Sequence, residues 1–66
     1  MQILVNEQPC EIADSCTVAT LLEQLGLAAK PVAVEVNLQL VPRQRHNDHG
    51  LASGDRVEIV TLVGGG

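Results

Sequence analysis

The apolar positions of this chain change period twice, and each change marks an element. Gln2-Ile3-Leu4-Val5-Asn6 is short, β-branched and bounded by polar residues, which predicts a strand. Asn6-Glu7-Gln8-Pro9 is a polar stretch with a proline and predicts a turn. Cys10-Glu11-Ile12 then returns as the second arm of a hairpin. Beyond Asp14-Ser15 the period lengthens. Val18, Leu21, Leu22 and Leu25 fall at i, i+3, i+4 and i+7, the stripe of an amphipathic helix. Thr17 stands at its N-cap, where a hydroxyl can accept from a first-turn amide. Gly26 suits a left-handed residue after the last turn, with Leu27 folding back as in a Schellman cap.

After Lys30-Pro31 the period returns to two. Val32, Val34 and Val36 alternate with Ala33, Glu35 and Asn37, a half-buried strand. Asn37-Leu38 predicts a tight turn into a short strand, Gln39-Leu40-Val41, which Pro42 stops or confines to an edge. Arg43 to Gly50 is polar and irregular, with Leu51 as its anchor in the core. Ser53-Gly54-Asp55 is a turn signal, and Asp55 is expected to shape it. The final strand runs from about Arg56 to Leu62, with Val57, Ile59 and Thr61 on one face and Glu58, Val60 and Leu62 on the other. If the helix covers the first face, Val60 and Leu62 are exposed apolar residues close to the chain's end. One helix on one face of a mixed sheet of four to five strands is an α+β fold.

Composition narrows what such a fold can do. The chain has 66 residues, enough for one domain. At this size folding buries only about 60% of the unfolded chain's surface, so the core must be compact. Hydrophobic residues make up 45% of the sequence, yet none is Phe, Trp or Tyr. The core is therefore aliphatic, and platforms for stacking bases or sugars are missing. A net charge of −4 argues against nucleic acid or an anionic membrane as partner. No apolar run reaches the ~20 residues of a membrane span, and the N-terminal residues lack a signal-peptide pattern; a cytoplasmic location is the expectation.

The candidate chemistry concentrates at the end. Residues 1–63 read as the folded domain and Gly64-Gly65-Gly66 as a flexible tail. Three glycines end a strand poorly, because glycine loses the most backbone entropy on ordering. Without side chains, however, such a tail threads into a narrow cleft and presents an unshielded carboxylate. A carboxylate resists nucleophiles until one oxygen becomes a leaving group, as adenylation makes it. The chain has no G-x-x-x-x-G-K-[ST] pattern, so a partner must bind the ATP. Glycine runs are weak signals alone, and residue pattern leaves the tail's purpose open.

Other groups call for plainer readings. Cys16 precedes the helix, where the dipole can favour a thiolate, but a cysteine there is expected to be a small apolar packing residue. Cys10 is expected to be core or strand filler. His46 and His49, with Asp48, lack a fourth ligand, so no metal site is expected and both histidines are assigned to the surface. Arg43 and Arg56 are candidate rim contacts for a partner that docks on Val60 and Leu62, although solvated surface charges are the commoner explanation.

Taken together, several segments resemble the ThiS family of sulfur carriers in thiamine biosynthesis, small β-grasp proteins related to ubiquitin. They are Met1-Gln2-Ile3 with Asn6, Thr17-Val18 leading into Leu21-Leu22, Val34-Glu35-Val36-Asn37, Val41-Pro42-Arg43, Gly54-Asp55 and Gly65-Gly66. The resemblance spans essentially the whole chain and implies a β-grasp topology with the first and last strands central and parallel. It implies that Gly66 is adenylated by an E1-like adenylyltransferase of ThiF type using ATP and magnesium. A persulfide donor then supplies sulfur, and a ThiG-type thiazole synthase consumes the resulting thiocarboxylate. Gly64 and Gly65 keep the tail thin. On this reading the protein binds no cofactor and is a recycled co-substrate, not an enzyme. The alternatives are a carrier of molybdopterin synthase type, or a ubiquitin-like modifier or binding module.

Overall fold

The computed structural model describes residues 1–62, and within them the alternating runs pair into one five-stranded sheet. The elements in chain order are β1 (Gln2–Val5), β2 (Gln8–Glu11), α1 (Val18–Gln24), β3 (Val32–Val36), β4 (Gln39–Leu40), a 3₁₀ turn (Arg43–Arg45) and β5 (Arg56–Thr61). Strand order is β2-β1-β5-β3-β4. β1 and β5 are parallel, whereas β1–β2, β3–β4 and β3–β5 are antiparallel. The mixed sheet with one helix on one face matches the expected α+β arrangement, and the first and last strands lie side by side as a β-grasp requires.

Two hairpins of the same construction form its flanks. Asn6 and Glu7 link β1 to β2 with φ of 49° and 68°, and Asn37 and Leu38 link β3 to β4 with φ of 53° and 71°. Two-residue loops with positive φ at both positions match the right-handed twist of the strands they join. Asparagine tolerates this region, but Glu7 and Leu38 are strained in it. The first turn is therefore tighter than the polar stretch Asn6–Pro9 suggested. Gln8 and Pro9 belong to β2, where Pro9 faces Leu4. Met1 and Ile12 exchange two backbone bonds, so the bonded pairs of this ladder are the odd positions of β1. Pro9 falls in an unbonded pair on an outermost strand, so its missing N–H removes nothing from the ladder.

The core is aliphatic, as the composition requires. Ile3, Ile12, Val18, Leu21, Leu22, Val34, Val36, Val41, Leu51, Val57 and Ile59 are buried together with Cys16. Val18, Leu21 and Leu22 supply the helix stripe, while Leu25, at its end, is exposed. The helix closes as a Schellman motif. Leu27 N–H donates to the Leu22 carbonyl at 2.7 Å and Gly26 N–H to the Glu23 carbonyl at 3.1 Å, with Gly26 at φ 74°. Leu27 then packs against the core.

Leu38 combines a left-handed backbone with a side chain 82% exposed, so it has strain and little packing to offset it. Leu38→Gly is expected to raise the unfolding free energy by up to about 1 kcal/mol, net of glycine's greater freedom in the unfolded chain. Urea denaturation measures this; a lower midpoint would mean that Leu38 contributes packing absent from this picture.

Candidate functional site

β5 is the last strand among the described residues, and both of its faces are defined. Val57 and Ile59 point to the helix and are buried. Thr61, on the same side by alternation, is exposed. On the opposite face Val60 is 60% exposed and Leu62 51%. Val60 lies across from Ala33 on β3, and Leu40 of β4 lies across from Glu35. The uncovered face thus carries Ala33, Leu40, Val60 and Leu62 beside the acidic Glu35 and Glu58. Exposed apolar residues gathered in this way are the usual mark of a docking surface.

The end of β5 is fixed from both sides. On one side Leu62 N–H donates to the Pro31 carbonyl at 2.9 Å, continuing the pairing with β3. On the other, β1 has already ended at Val5, and Asn6 takes over. Asn6 N–H donates to the Val57 carbonyl at 2.8 Å. Its side chain then pairs with Ile59 as a peptide group would: Oδ1 accepts from Ile59 N–H at 2.8 Å and Nδ2 donates to the Ile59 carbonyl at 3.1 Å. At the start of β5, Asn37 Oδ1 accepts from Arg56 N–H at 3.0 Å while Asn37 Nδ2 donates to Asp55 Oδ1 at 3.0 Å. Asp55 Oδ2 also accepts from Ala52 N–H at 2.8 Å, which confirms its part in the turn around Gly54.

Arg43 is not part of the uncovered sheet face. It lies beside α1, lining a shallow cavity of about 250 Å³ with Ala19, Leu22, Glu23, Ala28, His46 and Asn47. Arg56 is exposed at the opposite end of β5 from Leu62. Gly64, Gly65 and Gly66 lie outside the described residues.

One assignment is corrected. His46 is not a surface histidine: it is 9% exposed, with Nε2 3.1 Å from the Val41 carbonyl. The polar segment around it caps the helix. Val18 N–H donates to the His49 carbonyl at 3.0 Å and Ala19 N–H to the His46 carbonyl at 2.9 Å. Thr20 N–H donates to Thr17 Oγ1 at 3.2 Å, the N-cap bond anticipated from Thr17. Free first-turn amides need acceptors, and Thr17 can satisfy one. Side chains or water can also satisfy such amides, so no local signal singled out this segment.

The same arrangement removes Cys16 from the candidate chemistry. Its side chain is 2% exposed and its thiol donates to the Thr17 carbonyl at 3.4 Å. Burial pushes the thiol pKa up, and neighbouring Cys10 adds to the rise. The thiolate population needed for nucleophilic chemistry therefore falls. Cys10 is half-buried at the edge of the core, with the Gln24 amide 3.9 Å from its sulfur. In native protein at pH 8, iodoacetamide is expected to alkylate Cys10 and to reach Cys16 only through unfolding. Equal rates at the two thiols would contradict the burial of Cys16.

The chain matches the model of the ThiS family over residues 3–66. It is 38% identical over 66 residues to the sulfur carrier protein ThiS of Escherichia coli, covering both chains completely. It is also 38% identical over 66 residues to a thiazole synthase of Paramagnetospirillum magneticum, spanning 20% of that protein's length. Among solved structures it superposes on the thiamine biosynthesis protein ThiS of Geobacter metallireducens with a TM-score of 0.85, at 35% identity and with 100% of each chain covered.

Proposed function

The chain belongs to the ThiS family, and from that membership we propose that it is a sulfur carrier of thiamine biosynthesis that works through its Gly66 carboxylate. The observation that carries this reading is the family match extending through residue 66, so that it includes the glycine tail as well as the folded part. The E. coli carrier, similar to this chain from end to end, supports the same role.

The proposed sequence of events starts outside the protein. An E1-like enzyme binds ATP and magnesium, and the Gly66 carboxylate attacks the α-phosphate, releasing pyrophosphate. A persulfide sulfur then attacks the acyl adenylate and displaces AMP. Cleavage of the resulting sulfur–sulfur bond by a second thiol leaves the thiocarboxylate on Gly66. Gly64 and Gly65 have no side chains to obstruct the approach of either enzyme. The chain acts as a co-substrate in these steps, and its fold supplies recognition.

Thiazole synthase is the proposed consumer of the sulfur. In the P. magneticum protein of that name, a segment resembling this whole chain makes up a fifth of a longer polypeptide. Joining two functional units in one chain raises their effective concentration for each other, which is useful where one must hand a group to the other. The uncovered face with Ala33, Leu40, Val60 and Leu62 is the proposed contact for these partners, with Arg43 as a contact at a separate site beside α1.

Incubation with an adenylating partner, ATP and a persulfide donor, followed by intact-mass measurement, tests the reading. The full chain is expected to exchange one oxygen for sulfur. The chain lacking Gly66 is expected to stay folded and unmodified; modification of the truncated chain would sink the terminal-carboxylate mechanism. Gly65→Val is expected to slow thiocarboxylation strongly, because a β-branched side chain obstructs threading. Unchanged kinetics would count against that steric argument.

A further inference from the structure

We infer that Asn6 is a positioning residue for sulfur transfer: its side chain anchors the last part of β5 and thereby aims the tail that follows. This inference rests on the sulfur-carrier reading above.

The geometry shows an asymmetry along β5. At Val57 the strand lies between Val5 of β1 and Val36 of β3, and Leu4 lies opposite Arg56. β1 stops at Val5, but β5 continues to Thr61, paired with β3 as far as Val32. The further part of β5 would therefore be held from one side alone. Asn6 extends the second side by one residue, using its side-chain amide in place of a backbone amide, with both bonds to Ile59 at 3.1 Å or shorter. Ile59 is also the last core residue of the strand. Leu62, the last described residue, lies three positions further along the chain.

Such an anchor affects reaction through the fraction of molecules whose tail leaves in a direction a partner's cleft can accept. When only a fraction of a protein is competent to bind, its apparent affinity drops by that fraction. Once the tail is seated, the chemistry at Gly66 proceeds as before. Loosening the end of β5 is thus expected to raise the carrier's KM with the adenylating enzyme and to leave kcat unchanged.

Asn37 provides an internal control. It occupies the same position in the same kind of turn and also bonds β5 through its side chain, but at Arg56, the end away from the tail. Glycine adopts positive φ without strain, so Asn6→Gly and Asn37→Gly each keep the turn and delete the clamp. Both variants and the wild type are compared for steady-state adenylation kinetics and for amide hydrogen exchange. Asn6→Gly is expected to speed exchange at Ile59 and to raise KM about tenfold with kcat retained. Asn37→Gly is expected to leave KM at the wild-type value. Asn6→Asp, which keeps the acceptor for Ile59 N–H but turns an oxygen toward the Ile59 carbonyl, is expected to behave like Asn6→Gly. Wild-type KM in both Asn6 variants, or an equal KM rise in Asn37→Gly, would overturn the positioning role. If the wild type is not adenylated at all, the sulfur-carrier reading itself fails and this inference goes with it.

Discussion

The fold depends on holding β5 in the middle of the sheet. This strand is parallel to β1, antiparallel to β3, and contributes Val57 and Ile59 to the core. Its pairing is reinforced by side chains at both ends: Asn37 bonds Arg56 and Asn6 bonds Ile59. Both asparagines open a hairpin turn in the left-handed region, where a short polar side chain is tolerated and can hydrogen-bond nearby backbone. Each residue therefore does two jobs, reversing the chain and gripping the central strand. With a core of aliphatic side chains, this polar reinforcement gives the sheet a register that apolar contact alone specifies less sharply.

Much of this was legible because it obeys a simple period. The stripe Val18, Leu21, Leu22 and the alternation Val32, Val34, Val36 set the helix and β3, and Thr17 and Gly26 placed the helix ends. Val60 and Leu62 followed from alternation along β5. What escaped were features fixed by long-range partners. Pro9 reads locally as a turn residue, and its place in β2 is permitted only because the strand is outermost and the pair is unbonded. His46 reads as surface because it is polar, yet the helix start recruits its segment to satisfy the Val18 and Ala19 amides. Asn6 reads as a turn residue, and its bonds to Ile59 span a separation no local pattern encodes.

For function, the consequence is a division of labour along the chain. Among the described residues the buried groups with reactive potential, Cys16 and His46, are committed to packing and to hydrogen bonds with backbone carbonyls. No three His, Cys, Asp or Glu side chains gather there as metal ligands would. No helix among those residues is long and apolar enough to cross a membrane. Among the described residues, the features that remain for a partner are the uncovered sheet face and the separate surface beside α1 that Arg43 lines. Under the proposed function a carrier needs little more, since activation and sulfur delivery would fall to partner enzymes.

The central claim is that Gly66 carries the sulfur. Fragmentation mass spectrometry of the intact protein, isolated from cells making thiamine, locates any added sulfur along the chain. The account predicts replacement of one oxygen by sulfur within the C-terminal glycines and nowhere else. Sulfur found on Cys10 or Cys16 with Gly66 unmodified, or the tail joined to lysines of other proteins, would contradict it.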